Sequence, residues 1–86
     1  MKENEILWKM VLEDTRGGSS DFWEKKFNEN LLKTGRDGEW ETNQVYYKYK
    51  VSKNQLLVQS LYDNSVSVMV INEDKFIHAI KIRRRR

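Results

Sequence analysis

The chain has 86 residues and a net charge of +3, and it contains neither cysteine nor proline. This length predicts a single domain over residues 1–86, and the missing cysteines exclude a disulfide framework and a thiolate zinc site. No apolar run approaches the ~18 residues of a membrane span, and the N-terminus lacks the apolar core of a signal peptide. We therefore expect a cytoplasmic protein without a membrane association, a metal or another cofactor.

The charge is distributed unevenly along the chain. Residues 1–43 carry seven Lys/Arg and ten Asp/Glu, whereas residues 44–86 carry nine Lys/Arg and three Asp/Glu. The net charges of the two halves are therefore −3 and +6, and the last four residues are all arginine. The basic character is concentrated at the C-terminal end, where it predicts an attraction to acidic surfaces or phosphate.

The first segment, residues 4–14, fits two patterns. Ile6, Leu7, Met10 and Val11 form a helical stripe, but apolar residues also alternate from Ile6 onward as in a strand. The Glu- and Lys-rich ends favour the helix, because strands disfavour these residues. The glycines and serines of residues 15–20 then end the segment.

The second segment predicts an amphipathic helix. Asp21 and Glu24 have the spacing of a capping box, and Gly35 is placed to end the helix. The apolar face that would pack on the core contains Phe22, Trp23, Lys26, Phe27 and Leu31, where Lys26 contributes its aliphatic stem.

From Glu39 onward the apolar period changes to two, which is typical of strands with one buried face. Turn-forming residues at 52–54, 63–64 and 72–75 divide this half of the chain. The predicted strands are residues 44–51, 55–62, 65–71 and 76–82. The fold class is therefore α+β, with one or two N-terminal helices packed on a four-stranded antiparallel β-meander, which could also curl into a barrel-like core.

The last two predicted strands are apolar on both faces. One face would carry Met69, Ile71, Phe76, His78 and Ile80, and the other would carry Val66, Val68, Val70, Ile77 and Ala79. Two short helices can cover only one face, so a curled sheet, a homodimer or a protein partner would have to cover the second. The candidate protein-binding residues are Met69, Ile71, Phe76, Ile80 and Trp40.

Basic residues define a second candidate surface, for nucleic acid or an acidic protein. Its members are Tyr46, Lys48 and Lys50 on one strand, followed by Lys81, Arg83, Arg84, Arg85 and Arg86 at the C-terminus. Basic side chains interleaved with an aromatic ring suit phosphate neutralisation and base stacking. No helix-turn-helix, zinc-finger or RNP-type signature accompanies them.

His78 is the one histidine, and it raises the possibility of a small RNase. Together with Tyr47 or Tyr49 and Arg83 it could carry out acid–base chemistry on a 2′-hydroxyl. The sequence nominates no nucleophile or acid beside it, so a packed histidine is the simpler interpretation.

These observations favour a small non-enzymatic binding protein that docks on a larger protein or nucleoprotein, in the manner of regulators and inhibitors. Its compactness and lack of proline are typical of small phage or mobile-element proteins. Direct nucleic-acid binding is the alternative, and a toxin-like ribonuclease is a third.

Overall fold

The computed structural model describes residues 3–84, which form three α-helices and four β-strands. The helices are α1 (Glu3–Asp14), α2 (Ser20–Phe27) and α3 (Glu73–Arg84). The strands are β1 (Gly38–Glu41), β2 (Val45–Lys50), β3 (Gln55–Ser60) and β4 (Met69–Asn72). A π-helical turn (Asn28–Leu32) extends α2, and a 3-10 turn (Val51–Lys53) links β2 to β3.

The strands form one antiparallel sheet in the order β1-β2-β3-β4, and this sheet does not close into a barrel. The helices lie on one side of it, which we call the inner face: α1 contacts β2 and β3, and α3 contacts β3 and β4. The buried side chains of the inner face are Val45, Tyr47, Tyr49, Leu56, Val58, Ser60 and Met69. The predicted α+β meander with N-terminal helices is therefore confirmed, without the barrel-like curl.

Helix α1 resolves the ambiguous first segment in favour of the helix. Leu7, Trp8 and Val11 are at most 4% exposed, and their spacing places them on one side of the helix. That side packs on β2 and β3. Ile6 was expected in the same stripe, but it is 42% exposed. The buried side of α1 therefore contains Trp8 instead of the predicted Ile6.

Helix α2 begins two residues earlier than the predicted capping box. Ser19 is the N-cap, and its hydroxyl accepts the Phe22 backbone N–H at 3.0 Å. Phe27 and Leu31 are buried as predicted, whereas Phe22 is 45% exposed. Gly35 has a left-handed backbone (φ 81°) in the turn that leaves this helix, which agrees with its predicted role.

The prediction of a strand over residues 76–82 is wrong, because this segment belongs to α3. The Asn72 side chain accepts the Asp74 backbone N–H at 2.9 Å and so caps the helix. Phe76 and Ile80, four residues apart, are buried on the same side. Acidic residues in the first turn and basic residues in the last complement the helix dipole. Residues 72–75 therefore start a helix instead of a hairpin turn.

The fourth strand of the sheet is β1, which pairs with β2 at the opposite end from β4. The predicted strand at residues 65–71 shortens to Met69–Asn72. Before it, Asp63 accepts the backbone N–H of Ser65 at 3.0 Å, so the predicted turn chemistry is present within a longer connection.

Aromatic rings fill the space between the helices and the sheet. Phe27 lies at the centre, with its ring centroid 5.0 Å from Trp40 and 5.1 Å from Tyr47. It lies 5.1 Å from Phe76, and the Trp8 ring stacks on Phe76 at 5.5 Å. The Phe27 contacts are edge-to-face, which the ring quadrupoles favour. This cluster therefore connects all three helices with each other and with the sheet.

The Tyr47 hydroxyl in this cluster is buried without a hydrogen-bond partner among the described residues. Thr42 lies nearby, but its hydroxyl donates to the Asp14 carboxylate at 2.5 Å. Burial raises the pKa of Tyr47 well above its usual ~10, an effect that Thr42 opposes and the charge of Asp14 reinforces. The folded protein therefore holds this proton more tightly than the unfolded chain does.

We expect Tyr47→Phe to leave the free energy of unfolding at pH 7 unchanged or raise it by up to about 1 kcal/mol, because it removes an unpaired buried hydroxyl. In the wild type, the stability linked to neutral Tyr47 is complete below pH ~10. It is lost above that value, where the unfolded state releases the proton first. The variant should therefore lose less stability above pH ~10 in urea unfolding curves.

Tyr62→Phe is the matched control, because the Tyr62 side chain is 82% exposed. We expect its stability to follow that of the wild type at neutral and alkaline pH. Some alkaline loss should persist in Tyr47→Phe, since burial and the hydrogen bond to Glu73 also raise the pKa of Tyr49. Equal alkaline losses in Tyr47→Phe and the wild type would contradict this account.

Candidate protein-binding surface

The residues predicted to bind a protein lie mostly in the core. Met69, Phe76 and Ile80 are at most 5% exposed. Ile71 and Trp40 are partly buried and pack against the same cluster. Because residues 76–82 form a helix, the predicted two-stranded apolar face does not form. Met69, Phe76 and Ile80 are therefore core residues, and of the five only Ile71 and Trp40 keep some accessible surface.

The opposite predicted face is also divided. Val66 is 8% exposed, and Ile77 and Ala79 on α3 pack partly against the core. Val68 and Val70 are 46% and 59% exposed. Of the five residues predicted on this face, only these two valines are well exposed, and they lie at the β4 edge of the sheet.

Two of the predicted basic residues form ion pairs within the fold. The Lys81 ammonium lies 2.6 Å from a carboxylate oxygen of Glu24, which joins α3 to α2. The Arg83 guanidinium makes a two-pronged contact with Glu5 on α1, with both N···O distances at 3.2 Å. It also lies over the Trp8 ring, 4.7 Å from the ring centroid. Both side chains thus connect helices.

Arg84 is used in a similar way. Its guanidinium donates to the backbone carbonyls of Thr15 and Gly18, in the segment that joins α1 to α2. The contact places a positive charge at the C-terminal end of α1, where the helix dipole is negative. Arg85 and Arg86 lie outside the described residues. The described part of the basic end therefore holds the helices together.

The outer face of the sheet, by contrast, carries no helix within residues 3–84. Its side chains are Glu39, Glu41, Tyr46, Lys48, Lys50, Gln55, Leu57, Gln59 and Val70. Tyr46, Lys48 and Lys50 share this face, as their alternation predicted. Among the residues predicted to bind a partner, these three therefore lie on a face of the sheet that no helix covers within the described residues.

The outer face changes character from strand to strand. β1 contributes carboxylates, and the register places Glu39 opposite Lys48 and Glu41 opposite Tyr46. Partial burial and the neighbouring carboxylates of Glu39 and Glu41 raise the pKa of Tyr46. β2 contributes the lysines, whereas β3 contributes only uncharged side chains, and β4 adds exposed Val70. The face therefore runs from acidic through basic and polar to apolar.

The residues of the RNase hypothesis do not form one site. Tyr47 and Tyr49 are at most 1% exposed on the inner face. His78 is exposed on α3, where it lines a shallow groove with Arg83 and Glu5, and neither tyrosine reaches this groove. The structure therefore brings His78 and Arg83 to one groove but leaves Tyr47 and Tyr49 outside it.

Residues 3–84 contain neither a metal-binding cluster nor a membrane-spanning helix. No group of three or more His, Cys, Asp or Glu side chains is placed to hold a metal ion within residues 3–84. Over the same range, no helix has both the length and the apolar character needed to cross a bilayer. A groove of about 250 Å³ between α2 and α3 is bordered by the Glu24–Lys81 pair.

Comparison with known proteins adds no family to these observations. No protein-family model matches the chain, and no curated protein or solved structure is significantly similar to it. The surface chemistry of the fold is therefore the basis for a functional proposal.

Proposed function

We propose that the protein is a non-enzymatic binding module that docks on another protein through the outer face of its sheet. One observation carries this proposal. The solvent side of an antiparallel sheet is ordinarily polar, but here Val70 is 59% exposed beside Leu57, its partner on β3. An apolar area bordered by charged side chains is typical of an interaction surface.

The charges next to this area indicate the chemistry of the partner. Lys48 lies opposite Leu57, and Lys50 lies opposite Gln55, so the lysines form a row along the side of the uncharged strand β3. A complementary partner presents apolar side chains to Leu57 and Val70, and carboxylates to the two lysines. We therefore propose a protein partner with an acidic patch beside an apolar one. Binding would block that patch, as a regulator or inhibitor does.

Nucleic acid fits this face less well. Glu39 is the direct cross-strand neighbour of Lys48, and Glu41 that of Tyr46, so carboxylates border both groups that would contact phosphate or bases. Arg83 and Arg84 are engaged within the fold and do not extend the basic area. A phosphate backbone has no apolar group to cover Leu57 and Val70, so the protein partner is favoured.

The test compares two outer-face variants with a helix-side control. We expect Lys48→Glu and Leu57→Gln each to weaken binding of a protein captured from nuclease-treated lysate by about tenfold or more. Lys25→Glu makes the same charge change at an exposed position on α2 and should bind like the wild type. Circular dichroism of each variant confirms that the fold is retained.

Two outcomes would contradict the proposal. In one, both outer-face variants retain the partner as well as Lys25→Glu does. In the other, the wild type captures RNA or DNA that washes off steeply with salt, and no protein remains after nuclease treatment. That result would support the nucleic-acid alternative.

A further inference from the structure

The two free edges of the sheet differ in their protection against further strand pairing. β1 and β4 are the edge strands of the four-stranded order. An edge strand presents unpaired N–H and C=O groups, and soluble proteins usually protect such edges with charged side chains, proline or a covering segment. The chain has no proline, so charge is the first protection to compare at the two edges.

Hydrogen bonds next to β4 show which of its residues face the free edge. The Glu73 N–H donates to the Asn54 carbonyl at 3.0 Å, in line with the β3–β4 register. Hydrogen-bonded pairs alternate with non-hydrogen-bonded pairs along an antiparallel ladder. The backbone groups of Met69 and Ile71 are therefore directed at β3, and those of Val70 are directed at the free edge.

The same reasoning identifies the free edge of β1. The Thr42 N–H donates to the Val45 carbonyl at 2.9 Å, in line with the β1–β2 register. The backbone of Trp40 is therefore paired with β2, and the backbone groups of Glu39 and Glu41 face outward. Both glutamates are exposed on the outer face. The β1 edge thus carries a carboxylate at each position where another strand would pair.

The β4 edge lacks such charged side chains. Residues 65–71 contain no charged side chain. Val68 and Val70, which lie along this edge, are 46% and 59% exposed, and both are β-branched residues that favour extended pairing. An uncharged edge with exposed valines is a favourable template for an added strand.

We propose that β4 pairs with β4 of a second copy of this chain, antiparallel about a two-fold axis, with Val70 of one copy opposite Val70 of the other. The two sheets then form one continuous eight-stranded sheet. A two-fold contact closes on itself and leaves only the acid-protected β1 edges at the two ends. Pairing of β4 with β1 of another copy would instead propagate without closure, and it would bring Glu39 and Glu41 against an apolar strand.

The electrostatics support the symmetric contact. A two-fold axis brings each group near its own copy, so any charge on β4 would repel itself across the interface. Neither β4 nor β3 carries a charged side chain, so the four central strands of the joined sheet are free of this repulsion. The pairing uses backbone groups and leaves the outer-face side chains of β1, β2 and β3 accessible, whereas Val70 packs beside Val70 of the second copy. This proposal does not rest on the proposed function.

A single-cysteine experiment tests the contact directly, because the chain has no cysteine of its own. The Cα atoms of a hydrogen-bonded antiparallel pair lie about 5.5 Å apart, within the range of a disulfide. Val70→Cys should therefore form a covalent dimer under mild oxidation. Glu39→Cys, at the equivalent position of the β1 edge, should remain largely monomeric at the same concentration.

Light scattering after size-exclusion chromatography gives the second test. The wild type should show twice the monomer mass, and Val70→Lys and Val68→Lys should each shift it to the monomer. Glu39→Lys should leave the dimer intact. A wild-type protein that stays monomeric at about 1 mM chain would overturn the proposal. So would equal cross-linking of Val70→Cys and Glu39→Cys, or folded lysine variants of both valines that remain dimeric.

Discussion

Phe27→Ala is expected to lower the free energy of unfolding by about 3–5 kcal/mol, the range of phenylalanine truncations in well-packed cores. The Phe27 ring is fully buried and makes edge-to-face contacts with Trp40, Tyr47 and Phe76. Alanine would leave a cavity where α2, α3 and the sheet meet. A domain of this size has a thin margin of stability, so a substantial unfolded population is expected at 37 °C.

Phe22→Ala on the same helix is the control. The Phe22 ring is 45% exposed and contacts Trp23 edge-on at 5.2 Å, so we expect a loss below about 1 kcal/mol. Urea unfolding followed by tryptophan fluorescence measures both variants. Similar losses for Phe22→Ala and Phe27→Ala would contradict the central position of Phe27 in the core.

The elements that the sequence predicts correctly are those with one unambiguous period. Val45, Tyr47 and Tyr49 alternate with polar residues, and they form the buried side of β2 as expected. Phe27 and Leu31 have helical spacing within a segment bounded by serine and glycine, and both are buried. In these segments the local pattern and the tertiary packing favour the same structure.

Helix α3 was missed because its sequence satisfies both periods. Phe76, His78 and Ile80 alternate as in a strand, while Phe76 and Ile80 are also four residues apart, as in a helix. The residues at the two ends of this segment distinguish the helix from the strand. Asn72 followed by acidic residues, and arginines at the other end, is the charge and capping pattern of a helix.

The candidate surface was predictable only in part. The period of two placed Tyr46, Lys48 and Lys50 on one face, and this holds in the sheet. The pairing of β1 with β2, which sets Glu39 beside Lys48, depends on a register that composition and period do not specify. The contact between Arg84 and Thr15 joins residues 69 positions apart, and no local pattern in the sequence indicates it.

Arg84→Ala should destabilise the protein by about 2–3 kcal/mol, although the arginine run looks like a dispensable tail. A charge-assisted hydrogen bond contributes about 1.5–3 kcal/mol, and Arg84 donates two, to Thr15 and Gly18. Because the Arg84 side chain is only partly buried, water lowers their combined contribution below the simple sum. Thr15 is fully buried, so without Arg84 its backbone carbonyl would lose a hydrogen-bond donor. Arg83→Ala should cost less, about 1 kcal/mol, because its ion pair with Glu5 is partly exposed.

Chemical denaturation of three further variants separates the role of Arg84 from that of positive charge. Arg84→Lys keeps the charge but loses the forked donor geometry, so it should recover only part of the stability. A chain ending at Arg84 retains the Arg83 and Arg84 side chains, so we expect it to be more stable than Arg84→Ala. A chain ending at Ile82 should lose at least as much stability as Arg84→Ala. If Arg84→Ala proves as stable as the wild type, its bridge between α3 and the α1–α2 segment is not structural. If Arg84→Ala is destabilised as expected, deletion of all four arginines also weakens the packing of the helices. A loss of binding in that deletion variant would then follow from the weakened fold and would not identify a basic docking site.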